Sequence, residues 1–338
     1  MPERDEIDRL SVTPRVVVRG VGSIGQRHAR VLTRLGADVA LWPVRPRPAP
    51  LPDPPTSGSA VQTLNDSSGP AALASADLVV IATDTGRHVA DAIEALDAGA
   101  VRVLVEKPVA PTRLLADALA THPRASDVWV AAPLRAHEAF RHLASVVRDI
   151  GAPVSAHVRC QSWLPDWRPD RDYRESYSAR LDEGGVLRDL VHELDYAEVL
   201  LGRPTLLGAH LEHAGPLDIE AEQAATLLWC TDTATVTCRL DYVTRPAARG
   251  ITVRGPDGVL DWDVTTATVT HLDTTGRPTT TTFPADLDRD AVMATQARAA
   301  LELTPDAKPA QRHTAGAPAT LAEGLATLEL CDRAKELS

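Results

Sequence analysis

Three groups of residues in this sequence have types and spacings suited to chemistry. The first is Gly20-Val21-Gly22-Ser23-Ile24-Gly25, which directly follows the apolar run Val16-Val17-Val18. In a turn between a strand and a helix, the first glycine permits the tight bend. The second lets the backbone approach a pyrophosphate, and the third lets helix and strand pack closely. The phosphates would sit on the free N–H groups of Ser23, Ile24 and their neighbours, at the positive end of the helix. The second group ends the next apolar run, Leu41-Trp42-Pro43-Val44-Arg45-Pro46-Arg47. A carboxylate here would hold the ribose hydroxyls of NAD; none is present, and Arg45 and Arg47 suit a 2′-phosphate. That favours NADP(H) over NAD(H), against the plainer alternative of two solvated loop arginines. The third group is Asp189 and His192, three residues apart and predicted to share one helix face. Val186, Leu187, Leu190, Val191 and Leu194 make that helix apolar, and polar groups are costly to bury there without partners or work. A helix-packing histidine is the alternative, and Asp195, one turn on, is a rival to Asp189 for orienting the ring.

The elements that must position these groups are legible from periodicity and punctuation. Short apolar runs at 16–18, 39–42, 78–82, 101–105 and 128–132 alternate with helical patterns ending at Leu35 and spanning 89–96 and 114–120. Strands alternating with helices imply βαβ units and a parallel sheet. Residues 1–14 read as a polar tail. Residues 43–70 are rich in Pro, Ser, Asp and Gly and read as a loop with a short strand near Val61. After Ala136 the pattern changes. A helix at 140–147 leads to a strand near 154–163, then a polar loop, then one helix over 185–201. From 205 to 283, short alternating and Thr-rich runs predict an antiparallel sheet, and a helix over 317–337 closes the chain. The expected domains are 15–135, a dinucleotide-binding Rossmann domain, and 136–338, an α/β domain for substrate and assembly.

Bulk properties narrow the function. The chain has 338 residues, 44% apolar and 4% aromatic, with a formal net charge of −11 and a pI near 5.5. Two domains are expected at this length, and a uniformly acidic chain repels nucleic-acid phosphates and anionic membranes. The four cysteines, Cys160, Cys230, Cys238 and Cys331, form no C-x-x-C pair and no zinc spacing, so no metal is expected. They read as buried thiols of a reducing cytoplasm, with a Cys230–Cys238 hairpin bridge disfavoured. The charged start MPERDEIDRL lacks a signal-peptide core, and no apolar run approaches a membrane span. A cytoplasmic location is expected.

From Val105-Glu106-Lys107-Pro108 onward the sequence resembles the Gfo/Idh/MocA oxidoreductases. GVGSIGQRHARVL is similar to the cofactor turn of that family, and IATDTGRH to its IAT-P-x-x-x-H segment, with Asp84 in place of the usual proline. VLVEKPVA matches its most telling motif. GGVLRDLVHELDYAEVLLG resembles its G-G-x-x-x-D…H-x-x-D helix, and LAEGLATLELCDRA its closing helix. The resemblance covers nearly the whole chain and implies a Rossmann domain followed by an α/β domain with an open, mostly antiparallel sheet.

It places Thr83, His88, Glu106 and Lys107 beside the cofactor, with a cis peptide before Pro108. It makes Lys107 catalytic, an ammonium that stabilises a developing alkoxide and supplies its proton. It assigns His192 as proton carrier and Asp189 as orienting carboxylate. The family spacing is D-x-x-x-H, however, whereas this chain has D-x-x-H with Arg188 four before His192. The loop WLPDWRPDRDYRESYSAR would rim the substrate pocket with Trp163, Trp167, Tyr173 and Tyr177 as sugar-stacking surfaces and Arg174 among several anion-binding arginines. Its aspartates balance those arginines equally well as a salt-bridged surface. Arg135 falls at a polar position near the nicotinamide.

The resulting expectation is hydride transfer between NADP(H) and a secondary alcohol or ketone of a sugar, cyclitol or related small molecule, phosphorylated or nucleotide-linked forms included. Reduction of an imine or activated double bond is the alternative reaction, and a non-catalytic dinucleotide-binding regulator the alternative class. The resemblance also implies a homodimer or homotetramer, paired through the open sheet.

Overall fold

A computed structural model describes residues 13–44 and 61–338. In chain order these form β1 (Arg15–Arg19), α1 (Ser23–Arg34), β2 (Asp38–Trp42), β3 (Gln62–Thr63), α2 (Gly69–Ala74), β4 (Leu78–Ile81), α3 (His88–Ala98), β5 (Val103–Val105), α4 (Asp117–Ala120) and β6 (Val128–Val130). There follow α5 (Glu138–Val146), β7 (Ser155–Trp163), α6 (Val186–Asp189), α7 (His192–Leu201), β8 (Thr205–Glu212), β9 (Ala224–Cys230), β10 (Thr235–Asp241), β11 (Val243–Gly255), β12 (Gly258–Asp263), β13 (Thr268–Leu272) and β14 (Pro278–Thr282). The chain ends in α8 (Arg289–Glu302), α9 (Pro309–Ala315), β15 (Ala319–Thr320) and α10 (Leu321–Leu337).

The described residues divide into two units. One runs up to Ala110 and adds Leu114–Ala136 and Arg289–Gly324; the other holds Pro111–Arg113, His137–Asp288 and Leu325–Ser338. The return of Arg289–Gly324 to the first unit differs from the expected single boundary near 135. The reason lies in α8. Its Met293, Ala294, Ala297 and Ala300 join the core of Val16, Val18, Leu32, Leu35, Leu78 and Val80. Arg30 grips Asp290 at the start of α8 through two hydrogen bonds of 2.9 Å. Gln296 accepts the buried Ala132 N–H at 2.7 Å. An alanine-rich helix has little apolar periodicity, so its segment gives no amphipathic signal in the sequence.

The first unit is a sheet in the order β15-β6-β5-β4-β1-β2-β3, parallel except for the β15–β6 pair. Its central strands read as continuous apolar runs because both faces are covered; all of Val16–Val18 and Leu78–Val80 is buried. The order reverses at β1 and β4, where open α/β sheets place their ligand crevice. At β15, Thr320 and Glu323 form a reciprocal cap of α10. Glu323 accepts the Thr320 N–H at 2.9 Å, and its own N–H donates to Thr320 Oγ1 at 3.3 Å.

The second unit is an eight-stranded sheet, β14-β13-β12-β11-β7-β10-β9-β8, antiparallel except where β10 runs parallel to β7. Val158, Val236, Ile251, Leu260 and Trp262 bury one face; Phe140 and Tyr196 pack on Trp262 with ring centroids 5.5 and 5.2 Å away. The other face carries polar pairs, His157 with Thr237 at 3.0 Å and Thr270 with Thr280 at 2.9 Å, beside the exposed Leu207 and Leu228. All four cysteines are free thiols. Cys230 lies opposite Thr235 and Cys238 opposite Leu227, so the β9–β10 register does not place the two across from each other. Among the described residues, no helix is long and apolar enough to cross a membrane.

Two expected helices are reshaped. The segment 114–120 is a 3-10 turn followed by the single turn α4. The helix expected over 185–201 breaks after Asp189. Leu190 adopts φ −99° and ψ +30°, and the N–H groups of Glu193 and Leu194 reach back three residues, to Leu190 and Val191, before α7 resumes. Asp189 and His192 therefore do not share a helix face, which corrects the sequence expectation.

Glu323 also accepts from Arg135 at 2.8 Å and Arg312 at 3.0 Å. Burial pushes its carboxyl up, but Arg135, the Thr320 N–H and Arg312 outweigh burial and hold it down at about 2, below the ordinary 4.5. A depressed carboxylate stabilises the fold above its unfolded pKa and loses that contribution as pH falls towards the folded value. Glu323 is about one-third exposed, so screening reduces the contribution to roughly 1–2 kcal/mol. Glu323→Gln is expected to lose that much at pH 7 and to flatten the decline in stability between about pH 4.5 and 2, as measured by urea melts across that range.

Candidate active site

The glycine turn is shaped by backbone crowding. Gly20 has φ +93°, and a Cβ there would sit 2.5 Å from the Ala82 carbonyl oxygen at the end of β4. A Cβ on Gly25 would collide with the Gly20 carbonyl oxygen. Side chains are thus excluded where α1 packs on β1 and β4. Gly22 is the opposite case. A Cβ there meets nothing within 4 Å, which leaves open space at the helix N-cap. No side chain caps α1, so its first N–H groups are available to an anion.

An open recess lies above this turn. Gly20, Val21 and Gly22 form one wall, Pro43 and Val44 beyond β2 a second, and Ala82, Thr83 and Asp84 beyond β4 a third. Thr83 Oγ1 is buried and has no hydrogen-bond partner among the described residues. A bare N-cap, open space at Gly22 and an unmet hydroxyl in one recess fit the pyrophosphate and ribose of a dinucleotide. Ser23 and Ile24 begin α1 at this recess. Arg45 and Arg47 lie outside the described residues.

Lys107 follows β5 at the carboxyl edge of the same sheet, half-buried, and the Lys107–Pro108 peptide is cis. Histidines brace both of its neighbours. Glu106 Oε1 lies 2.7 Å from Nε2 of His28 on α1, and Glu106 Oε2 accepts the Lys107 N–H at 3.2 Å. Burial pushes the Glu106 carboxyl up, yet the His28 hydrogen bond and the adjacent positive charges bring it below the usual range. On the other side, His88 Nδ1 lies 2.8 Å from the Pro108 carbonyl oxygen and Nε2 lies 3.1 Å from the Thr83 carbonyl oxygen. Burial lowers the His88 pKa, opposed by these two carbonyl contacts.

His88 was expected to touch the cofactor. Instead, it is 1% exposed and both ring nitrogens face backbone carbonyls. It holds the Lys107 turn. His28, also 1% exposed, is a brace of the candidate site that sequence reasoning missed; its one signal was a polar ring on the apolar side of α1. Arg135 is likewise committed, pairing with Glu323 rather than standing open at the strand end.

In the second unit, Asp189 is a hub of hydroxyls. It accepts from Tyr177 Oη, from Ser178 Oγ at 2.7 Å and from Tyr242 Oη at 3.0 Å. Burial and the Asp189 charge raise the Tyr242 pKa well above its ordinary value, so Tyr242 is a donor. These bonds tie the 177–178 loop and the end of β10 to α6. Ser178 and Tyr242 were invisible to sequence reasoning, because 53 residues separate Tyr242 from Asp189. His192 is the first residue of α7, half-buried. Glu193 beside it is 0% exposed and bonds Arg249 at 2.6 and 3.1 Å, a buried pair whose disruption is costly. That pair fixes the start of α7, and with it His192.

The aromatic and arginine loop is paired in part, within itself and with neighbouring segments. Arg174 bonds Asp172 at 2.8 Å and lies over the Tyr173 ring at 5.6 Å. Trp163 is capped by the Arg245 guanidinium, 4.9 Å from its ring centre, and Arg245 is held by Asp166 at 2.7 Å. Trp167 stands edge-on to Tyr242 at 5.4 Å. Of the two sequence readings of this loop, the pairs at Arg174 and Asp166 fit the salt-bridged surface.

Comparison with known proteins agrees with this geometry. The family described as "Oxidoreductase family, NAD-binding Rossmann fold" matches residues 14–132, and the GFO/IDH/MocA C-terminal domain matches residues 140–261. No curated protein gives a significant match. Among solved structures, the chain is similar to UDP-N-acetylglucosamine 3-dehydrogenase GnnA from Acidithiobacillus ferrooxidans. That match has 20% identity, 96% and 98% of the two chains covered and a TM-score of 0.72. It is also similar to levoglucosan dehydrogenase in complex with NADH (17%, 96% and 96%, 0.76). A third match is an oxidoreductase from Agrobacterium radiobacter in complex with NAD+, L-tartaric acid and magnesium (18%, 96% and 96%, 0.73). With a glycine turn fitted to a dinucleotide, a braced E-K-P lysine and both domain profiles matched in order, this chain belongs to the Gfo/Idh/MocA family of oxidoreductases.

Proposed function

We propose that the protein interconverts a secondary alcohol and a ketone on a sugar, cyclitol or related small molecule, using a nicotinamide dinucleotide. When bound, the dinucleotide supplies a nicotinamide carbon that gives or takes a hydride. The observation that carries this reading is the carboxyl edge of the first sheet, where the glycine recess and the doubly braced Lys107 turn occur together. Gly22 and the first N–H groups of α1 bind the pyrophosphate, and Thr83 offers its hydroxyl. Lys107 holds the proton that the substrate oxygen gains or loses, and its ammonium stabilises negative charge on that oxygen. His192, anchored through Glu193 and Arg249, is the second proton-handling group, with Asp189 setting the loop before it. Two of the similar structures are sugar dehydrogenases by name, which supports a sugar-like substrate.

The cofactor preference proposed is for NADP(H). It rests on the absence of a carboxylate in Trp42-Pro43-Val44 and on Arg45 and Arg47 immediately after. Titration with NADPH and NADH, followed by nicotinamide fluorescence, is expected to show tighter binding of NADPH. Arg45→Ala with Arg47→Ala should weaken NADPH about tenfold and leave NADH unchanged. Tighter NADH binding by the unaltered protein would refute the preference.

The reaction is tested on a panel of keto-sugars, cyclitols and their phosphates. Lys107→Ala and His192→Ala should each lower kcat by about 10²–10⁴ while cofactor Kd stays within about threefold. A Lys107→Ala protein with full cellular function would instead point to a dinucleotide-binding regulator.

A further inference from the structure

Resting on the dinucleotide reading above, we propose that His88 is a positioning residue that couples occupancy of the glycine recess to the Lys107 turn. β4 and β5 are parallel neighbours, in register at Ile81 and Val105, and the Glu106 N–H donates to the Ile81 carbonyl at 2.9 Å. Beyond that rung the two strand ends serve different parts of the candidate site. The β4 end continues into Ala82, Thr83 and Asp84, one wall of the recess. The β5 end continues into Glu106, Lys107 and Pro108. The His88 ring stands between them, with Nε2 3.1 Å from the Thr83 carbonyl oxygen and Nδ1 2.8 Å from the Pro108 carbonyl oxygen.

Three observations carry the coupling. Thr83 serves both sides: its Oγ1 is buried and has no hydrogen-bond partner among the described residues, while its carbonyl meets His88. A ligand group that takes the hydroxyl therefore acts on the residue that the ring also touches. The ring is also held at its own end. His88 is 1% exposed and opens α3, whose Ala92, Ala95 and Leu96 are buried. A planar imidazole in a close-packed interior passes a displacement of one carbonyl to the other rather than absorbing it. Finally, both contacts are to acceptors. A singly protonated ring donates to one carbonyl and leaves the other unmet, so the bridge has two arrangements that differ in energy. A ligand that draws on Thr83 shifts the balance between them, and with it the hold on Pro108 and the Lys107 main chain. A histidine that only filled space would need neither contact, and an apolar side chain of similar size would serve in its place.

The test reads Lys107 directly. The chain has three lysines, Lys107, Lys308 and Lys335, so protein made with isotope-labelled lysine gives three backbone amide signals by NMR, and Lys107→Arg assigns the one from Lys107. ADP is the probe, because it fills the recess without bringing a nicotinamide ring towards Lys107. In the unaltered protein, ADP is expected to move the Lys107 signal. In His88→Leu that movement should fall below about half, while the Kd for ADP stays within about threefold. His88→Asn, whose amide reaches towards Pro108 alone, should lose the movement as well. Circular-dichroism melts confirm that each variant folds, and the titration of the unaltered protein decides even where one does not. A Lys107 signal unmoved at saturating ADP in the unaltered protein overturns the proposal. So does full movement in either variant, because the signal would then travel by another route. If the unaltered protein binds neither ADP nor either dinucleotide, the proposed function itself fails and this inference falls with it. Binding without coupling rejects the role of His88 alone.

Discussion

The first unit depends on a backbone-to-backbone approach. Gly20 presses on the end of β4 at Ala82, and Gly25 presses on Gly20. No Cβ is tolerated at either contact, so α1 comes close enough to bring its N-terminus over the point where the strand order reverses. The rest of the candidate site follows from that position. The bare N-cap at Gly22, the unmet hydroxyl of Thr83 and the carboxylate of Asp84 gather around one recess because β1 and β4 are hydrogen-bonded neighbours and end together.

The same closeness sets the Lys107 turn. α1 carries His28 to Glu106, and α3 carries His88 to Pro108. A lysine at a strand end would ordinarily be flexible, with a large rotamer entropy to lose. Here the backbone on both sides is held by buried hydrogen bonds, so the main chain beneath the ammonium is fixed. Buried polar groups are expensive unless fully paired, and the two histidines meet that cost within the site.

In the second unit a comparable logic works through different groups. The break after Asp189 frees its carboxylate from the α7 face and lets three hydroxyls converge on it. The Glu193–Arg249 pair then secures the restart of the helix at His192. Loop, sheet and helix are thus joined by polar contacts, while the apolar side of the sheet is filled by Phe140, Tyr196 and Trp262.

The sequence alone determined what depends on local pattern. The G-x-G-x-x-G spacing, the apolar runs of the parallel strands and the Thr-rich alternation of the antiparallel sheet each reflect neighbours a few residues apart. Together with the ordered motifs they led to the two-domain family fold and to Lys107 and His192 as candidate site residues. What the tertiary structure decided involves partners far apart in the chain. Glu106 meets His28 across 78 residues, Asp189 meets Tyr242 across 53, and Asp290 meets Arg30 across 260. The work of His88 in bracing a turn rather than touching a ligand, the commitment of Arg135 to Glu323 and the return of α8 to the first unit are of the same kind. Periodicity records which face of an element is buried, but it does not say which distant polar group that face will meet.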